Sequence, residues 1–480
     1  MFHFDSTYAR LPEIFYEKIS PTPVAAPKLI ALADDDLIAT LGITRAWLES
    51  AEALELLSGN AVADESIALA YAGHQFGGFV PQLGDGRAIL LGEIIGTDGK
   101  RRDVQLKGSG RTRFSRGGDG RAALGPVLRE LIVSEAMHAL GVPTTRVLAA
   151  VLTGEAVRRE TLLPGAILTR IAASHIRIGT FEYFAARRDV EALRVLMNYA
   201  LERHYPSAPR DAIALFDAVA SAQIALVSQW LSLGFVHGVM NTDNTTISGE
   251  TIDYGPCAFL DTYDPSRVFS SIDRQSRYAF ANQSNIIMWN LARFAQTLVP
   301  LIGDGGEEAA ATLNARFDTL PSRMQAACDT AMSVKLGLID ARGGDMQLTH
   351  SLLELMAAVK VDFTLCFRRL SDVAAGRDVA PLTAMFADAD SFRAWLTAWQ
   401  TRCEDGMAER AAAMRKVNPA FIPRNHRVEE VITAATNGDY GPLERLRRVL
   451  RRPYEDQPRD ADLQLSPGNE QWLYRTFCGT

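Results

Sequence analysis

The stretch that most narrows the folds open to this chain is His237-Gly-Val-Met-Asn-Thr-Asp-Asn-Thr-Thr-Ile-Ser-Gly-Glu-Thr-Ile-Asp-Tyr-Gly255. It reads as a polar loop, a short turn at Ser248-Gly249-Glu250, and a strand end finishing in Asp253-Tyr254-Gly255. Directly before it runs the longest uncharged segment of the chain, Ala218 to Val236. That segment holds Ser221, Gln223, Ser228, Gln229 and Ser232, so it predicts a buried helix rather than a membrane span. A buried helix of this kind is what delivers a catalytic loop.

In protein kinases, a catalytic loop H-R-D-x-x-x-x-N is followed by D-F-G, and the Asn and second Asp hold Mg²⁺ under the ATP phosphates. Here Asn244 stands seven residues after His237, the same step, and Asp253-Tyr254-Gly255 takes the D-F-G place. The position of the kinase base is Val239, while a new acid, Asp243, sits beside the asparagine. The metal-holding pair is kept and the usual base is lost. His237 itself reads as a structural histidine.

The segment upstream has the order of a kinase small lobe: glycine loop, strand, turn, strand with lysine. Ala72–Arg87 is dense in glycine and runs into Ala88–Ile95; Thr97-Asp-Gly-Lys100 then leads to a strand, Arg102–Lys107. An Asp-Gly turn between two β-rich runs signals a hairpin. Gly84 and Gly86 would let the backbone approach a phosphate, though Gly-x-Gly alone is common and no GxxxxGK[ST] occurs. Gly108–Arg121 carries four arginines with five glycines, which suits a polyphosphate cradle over a solvated loop. Pro126 opens a helix to about Leu140 bearing Glu130 and Glu135. One glutamate is needed there to fix the strand lysine, and the residues alone leave the two equal. Arg170 and Arg177 are seven apart, on one side of a helix if that segment is helical.

The ends of the chain are plainer. Two helices are expected in Asp34–Leu41 and Arg45–Leu57, and residues 286–480 read as largely helical. Arg445–Arg452, with five arginines, reads as a solvated helix face. The net charge of −7 argues against a protein that coats nucleic acid. Five scattered cysteines without a CxxC suit a reducing compartment, and the N-terminus lacks a basic start and apolar run. The expectation is a cytoplasmic protein working neither on nucleic acid nor in a membrane, and a monomer.

Together these residues resemble the selenoprotein O family, kinase-like proteins that transfer AMP instead of phosphate. The resemblance covers essentially the whole chain. It rests on Tyr8–Pro12, Tyr71–Gly78, Pro81–Arg87, Gln105–Gly110, Ser174–Arg177, Asn241–Asn244, Thr251–Pro256 and Pro423–His426. It implies an α+β, protein-kinase-like two-lobed fold: residues 1–60 a wrap, 61–171 the small lobe, 172–285 the large-lobe catalytic core, and 286–480 a helical C-terminal extension. By correspondence, Gly84, Gly86, Arg87, Lys107, Asp119, Gly120, Arg170 and Arg177 would contact ATP. Lys107 would pair with Glu130, Asn244 and Asp253 would hold Mg²⁺ or Mn²⁺, and Asp243 would be the base.

In that family ATP lies reversed relative to kinases, with Lys107 and the two arginines on the outer phosphates. The acceptors implied are Ser, Thr or Tyr hydroxyls of proteins; nothing in the sequence identifies a base-recognition element, so UTP stands as an alternative donor. Family members carry selenocysteine or a paired cysteine where this chain has Cys478, but the usual partner position holds Phe269. Two ordinary thiols are therefore the expectation over a Cys257–Cys478 redox switch. The competing readings are a conventional phosphotransferase, which Val239 and the arginine pair oppose, and an inactive nucleotide-binding scaffold, which the kept Lys107/Glu130/Asn244/Asp253 set opposes.

Overall fold

The computed structural model describes residues 1–61, 63, 65–468 and 476. The chain is mixed α and β. An antiparallel sheet runs in the order Tyr16–Lys18, Ile67–Leu69, Ala88–Ile95, Arg101–Lys107, Leu162–Ala172, Arg146–Arg158, Lys28–Leu32. Ala122–Ala123 adds an eighth strand beside Leu162–Ala172. The first sixty residues thus supply both outer strands. The Asp98-Gly99 hairpin forms as its sequence predicts, pairing Ala88 with Lys107 and Ile95 with Arg101.

On one face of the sheet packs the helix Leu124–Ala139. Its Leu128, Leu131 and Ile132 meet Val147, Ala150 and Leu168 of the sheet, while Val428, Val431 and Leu446 cover it from behind. Those last residues lie on the helices Asn425–Thr436 and Gly441–Leu450. The C-terminal part therefore closes on this helix.

The helix Ala212–Leu233 is capped by the Asp211 carboxylate, which accepts from Ala214 N–H, and ends at Gly234 in the left-handed conformation (φ 75°). It is long and apolar enough for a bilayer, yet it packs between the helices Leu320–Lys335 and Gln283–Leu298. A two-strand ladder follows, Phe235–Val236 against Ala258–Phe259, and pins both ends of the intervening loop. A second core around Phe363, Phe367, Trp395 and Trp399 supports this ladder through Val236 and Ala258.

Several local expectations are corrected. Arg45–Leu57 is two helices, Arg45–Leu48 and Ala51–Leu57, because the Ser50 hydroxyl accepts from Ala53 N–H and caps a new start. Asp253-Tyr254-Gly255 is not a strand end: Asp253 has a left-handed φ of 62°, which no ladder accommodates. Arg170 and Arg177 share no helix. Arg170 is on the strand Leu162–Ala172, whereas Arg177 caps the helix Ile178–Ala186. Within Arg445–Arg452, Arg447 is buried and donates to both oxygens of Glu135 at 2.7 and 2.8 Å, so this helix is not simply a solvated face. Cys257 is buried, and Cys478 lies outside the described residues.

Candidate active site

Strand alternation starts the site. Residues two apart on a strand share a face, and residues directly opposite on neighbouring strands face the same way. Lys107 and Gln105 are two apart, and Gln105 lies opposite Arg170. The two cations therefore emerge on one side of the sheet, the side on which Leu124–Ala139 presents Glu130. Lys107 Nζ donates to Glu130 Oε2 at 2.6 Å, and Arg170 Nε donates to Glu130 Oε1 at 2.5 Å. Glu130 is the glutamate that holds the lysine, because Glu135, more than one turn further on, is taken by Arg447.

Asp253 completes the cluster from the pinned loop. Its Oδ1 accepts from Lys107 Nζ at 3.1 Å and from Arg170 Nη2, and its Oδ2 accepts from Arg177 Nη1 at 2.7 Å. Burial alone would raise the Asp253 pKa, but Arg170, Lys107 and Arg177 outweigh it and hold the carboxyl well below the ordinary range. Glu130 is lowered in the same way, against burial, by Arg170 and Lys107. Lys107 is lowered by burial and by the neighbouring Arg170. With φ positive at a non-glycine residue, Asp253 also carries backbone strain of the kind that gathers at functional positions.

Asp243 sits on a short 3₁₀ turn, Thr242–Asn244, across from this cluster. Gln75 Nε2 donates to its Oδ2 at 3.1 Å, while Oδ1 is buried with no hydrogen-bond partner among the described residues. Burial pushes its carboxyl up to about 6. Gly73 makes this contact feasible, since a Cβ there would stand 2.6 Å from Oδ1. Asn244 uses its amide nitrogen on the Val239 carbonyl at 3.0 Å, so its oxygen is the atom left for a ligand. His237 is fully buried, its ring N–H donates to the Ile252 carbonyl at 2.8 Å, and its backbone N–H donates to Gln283. It holds the loop and lines neither the site cavity nor a second large one.

All twelve residues singled out in the sequence line one cavity of about 750 Å³: Gly84, Gly86, Arg87, Lys107, Asp119, Gly120, Glu130, Arg170, Arg177, Asp243, Asn244 and Asp253. Glycine is required at three of them, at Gly86 because a Cβ there would stand 2.8 Å from the Phe114 carbonyl. A Cβ on Gly84 would stand 2.3 Å from the Phe114 ring, and one on Gly120 2.1 Å from the Gly110 carbonyl. Asp119 is at the rim, paired with Arg159 at 2.8 Å.

Three wall residues escaped sequence reasoning. Tyr71 lies under the Arg177 guanidinium at 4.7 Å, Asp85 is buried 4.0 Å from Arg177, and Gln75 holds Asp243. All three lie in Tyr71–Gly78 and Pro81–Arg87, stretches that carry the family resemblance, but no local pattern gave any of them a role.

A family described as "Protein adenylyltransferase SelO" matches residues 1–451 of the chain. The chain belongs to the SelO family. Its relatives agree along their whole length. A protein of Bradyrhizobium sp. named protein nucleotidyltransferase YdiU is 57% identical over 488 residues, covering 100% of this chain and 99% of its own. Proteins with the same name from Methylorubrum extorquens and Rhizobium etli are each 54% identical, covering 100% of this chain and 99% and 97% of theirs. For this SelO chain the donor set at the cavity fits a hard divalent cation. The Asp253 carboxylate and the Asn244 amide oxygen are the oxygen ligands such ions take, and an ion that also binds substrate phosphates needs few protein ligands.

Proposed function

We propose that this protein transfers AMP from ATP to Ser, Thr or Tyr hydroxyls of other proteins, with release of pyrophosphate. The observation that carries the reading is one cavity lined by two buried guanidiniums, Arg170 and Arg177, by the part-buried Lys107, and by Asp243, whose buried Oδ1 has no partner among the described residues. Lys107, Arg170 and Arg177 would grip the β- and γ-phosphates, since guanidinium forks match phosphate oxygens bidentately. That grip stabilises pyrophosphate as it leaves the α-phosphorus. The acceptor oxygen forms its bond to the α-phosphorus while the bond from that phosphorus to the β-phosphate bridging oxygen breaks. Asp243 Oδ1 takes the hydroxyl proton, a role suited to a carboxyl raised to about 6.

Asn244 and Asp253 would hold Mg²⁺ or Mn²⁺, and Gly84, Gly86, Arg87, Asp119 and Gly120 would line the nucleotide. When bound, the metal supplies charge neutralisation at the α-phosphate. The kinase-like two-lobed arrangement fits this reading: residues 61–171 as small lobe, 172–285 as catalytic core, 1–60 as a wrap, and 286–480 as a helical extension. It is proposed as a cytoplasmic monomer, with UTP as an alternative donor.

The test is ATP labelled separately at the α- and γ-phosphate, given with Mg²⁺ or Mn²⁺ and a generic protein acceptor to wild type and Asp253→Ala. Label from the α position alone, lost in the variant, is expected. Transfer from γ would make the protein a kinase and overturn the phosphate orientation.

A further inference from the structure

The Gly73–Val80 hairpin that holds Asp243 has an outer side. Its strands, Gly73–Gln75 and Gly78–Val80, pair as a short ribbon with Phe76 and Gly77 at the tip. Phe76 and Phe79 are exposed, at 37% and 41%. The His74 ring packs against Phe79 at 4.9 Å and against Trp289 at 5.1 Å. Two guanidiniums cover that indole, Arg277 at 4.8 Å and Arg293 at 5.1 Å.

Two features separate this patch from ordinary surface. First, it is continuous with the active-site cavity: Phe76 belongs to both, and its neighbour Gln75 lines the cavity as well. Phe76 N–H also donates to Asn241 at 3.2 Å, in the loop that carries Asp243. Second, its charge is unbalanced. Many buried and part-buried arginines meet carboxylates, as Arg129 does Glu429, Arg368 Asp456, Arg402 Asp345, Arg424 Asp261 and Arg447 Glu135, whereas Arg323 and Arg369 turn to a hydroxyl and a carbonyl. The Nε of Arg277 and of Arg293 is buried without a partner among the described residues, and the nearby Asp273 carboxylate is taken by the backbone N–H groups of Arg277 and Tyr278 at 3.0 and 2.8 Å. His74 is tied to Glu182, so that carboxylate does not neutralise them.

Exposed aromatics with unmatched cations beside a reaction centre are what a docking surface for an acidic chain looks like. We propose that the aromatic and arginine patch formed by Phe76, Phe79, Trp289, Arg277 and Arg293 docks the acceptor protein through a segment in which Asp or Glu flanks the modified hydroxyl. The inference rests on the reading of Asp243 as the residue that receives the acceptor's proton. Carboxylates of the segment meet Arg277 and Arg293, its apolar side chains meet Phe76 and Phe79, and the hydroxyl reaches Asp243 past Gln75.

Two synthetic peptides test this, identical except that glutamates or lysines flank a single serine. Each is offered with α-labelled ATP to wild type, to Arg277→Gln/Arg293→Gln and to Arg277→Glu/Arg293→Glu. Wild type is expected to favour the glutamate peptide in kcat/KM by about 5-fold, the order for two half-exposed ion pairs. The glutamine variant, which keeps the packing on Trp289, should bring the ratio near one, and the glutamate variant should invert it. ATP affinity should be the same in all three.

A wild type without preference, or a preference that survives in the glutamine variant, overturns the docking surface. Dye-labelled copies of both peptides, followed by fluorescence anisotropy, separate docking from chemistry. Selective binding without label transfer would leave the surface standing and remove the nucleotidyl-transfer reading. Equal binding of both peptides, with label transferred to both, would do the reverse.

Discussion

Two buried charge networks grow from the same face of the strand Arg101–Lys107, only four residues apart, and they do different work. At one end, Asp103 accepts from Arg203 at 2.5 Å and from His175 at 2.8 Å. Arg203 also meets Glu93 at 2.7 Å, and Glu93 accepts from Thr7 and from Tyr8 N–H at 2.6 and 2.7 Å. Glu93, Asp103 and Arg203 are almost wholly enclosed and line neither of the two large cavities. At the other end, Lys107, Arg170 and Arg177 converge on Asp253, whose side chain keeps 22% of its exposure.

The residue types are nearly the same. What differs is whether the charges have a second partner to turn to. A sealed network can only hold the fold, because removing one member leaves the others buried and unpaired. A network open to a cavity can exchange its own carboxylate for a ligand's phosphates.

The comparison can be broken in several places. Asp253→Ala should have the largest effect, lowering α-label transfer by more than ~10⁴-fold, since it removes a metal ligand and the anchor of three cations. Retention of a tenth of the activity would mean the open network is structural too. Asp243→Asn should cost about 10²–10⁴ in kcat, the range for a positioned base, with little change in ATP affinity by calorimetry.

On the sealed side, Arg203→Met should cost about 3–5 kcal/mol in denaturant unfolding, because Glu93 and Asp103 lose their counter-charge. The transfer rate per folded molecule should not change. A catalytic defect without loss of stability would erase the distinction.

Smaller effects sharpen the boundary between the two. Gln75→Leu frees the Asp243 carboxylate to rotate and should cut kcat by about 10-fold, the value of one hydrogen bond to a charged group, with the KM for ATP unchanged. The smallest effect concerns Glu250, which receives Ala173 N–H near the sealed network. Burial raises its carboxyl from 4.5 to about 7 in the folded state. An acid raised on folding contributes stability below its unfolded pKa and loses it as pH rises through the folded one. Thermal unfolding of wild type should therefore show a loss between pH 4.5 and 7 that is smaller in Glu250→Gln, where Asp243, raised to about 6, keeps its own share.

Much of the fold and of the site could be read in advance, and for a reason particular to each piece. The hairpin at Asp98-Gly99 and the helix Ala212–Leu233 rest on short-range rules, a turn that needs glycine and a run that must be buried. Asn244 and Asp253 were readable because both sit on one loop whose spacing fixes their separation. The seven-residue spacing of the arginine pair would share a helix face only if the segment were helical, and strand pairing with Gln105 removes that condition at Arg170. Arg447 was read as solvated because its neighbours are, and nothing local points to Glu135, 312 residues away.

The order of glycine turn, lysine strand, glutamate helix and Asn/Asp loop was thus set within the amino-acid sequence, since each element answers to the sterics and polarity of its own few residues. Glu130 over Glu135 was open to the residues and came only with the family resemblance, while the grip of Gln75 on Asp243 and the pairing of Arg203 rather than Arg170 with the sealed acids belong to the folded chain alone. Each joins residues far apart in sequence, and burial makes a charge seek whichever opposite charge the packing brings within reach.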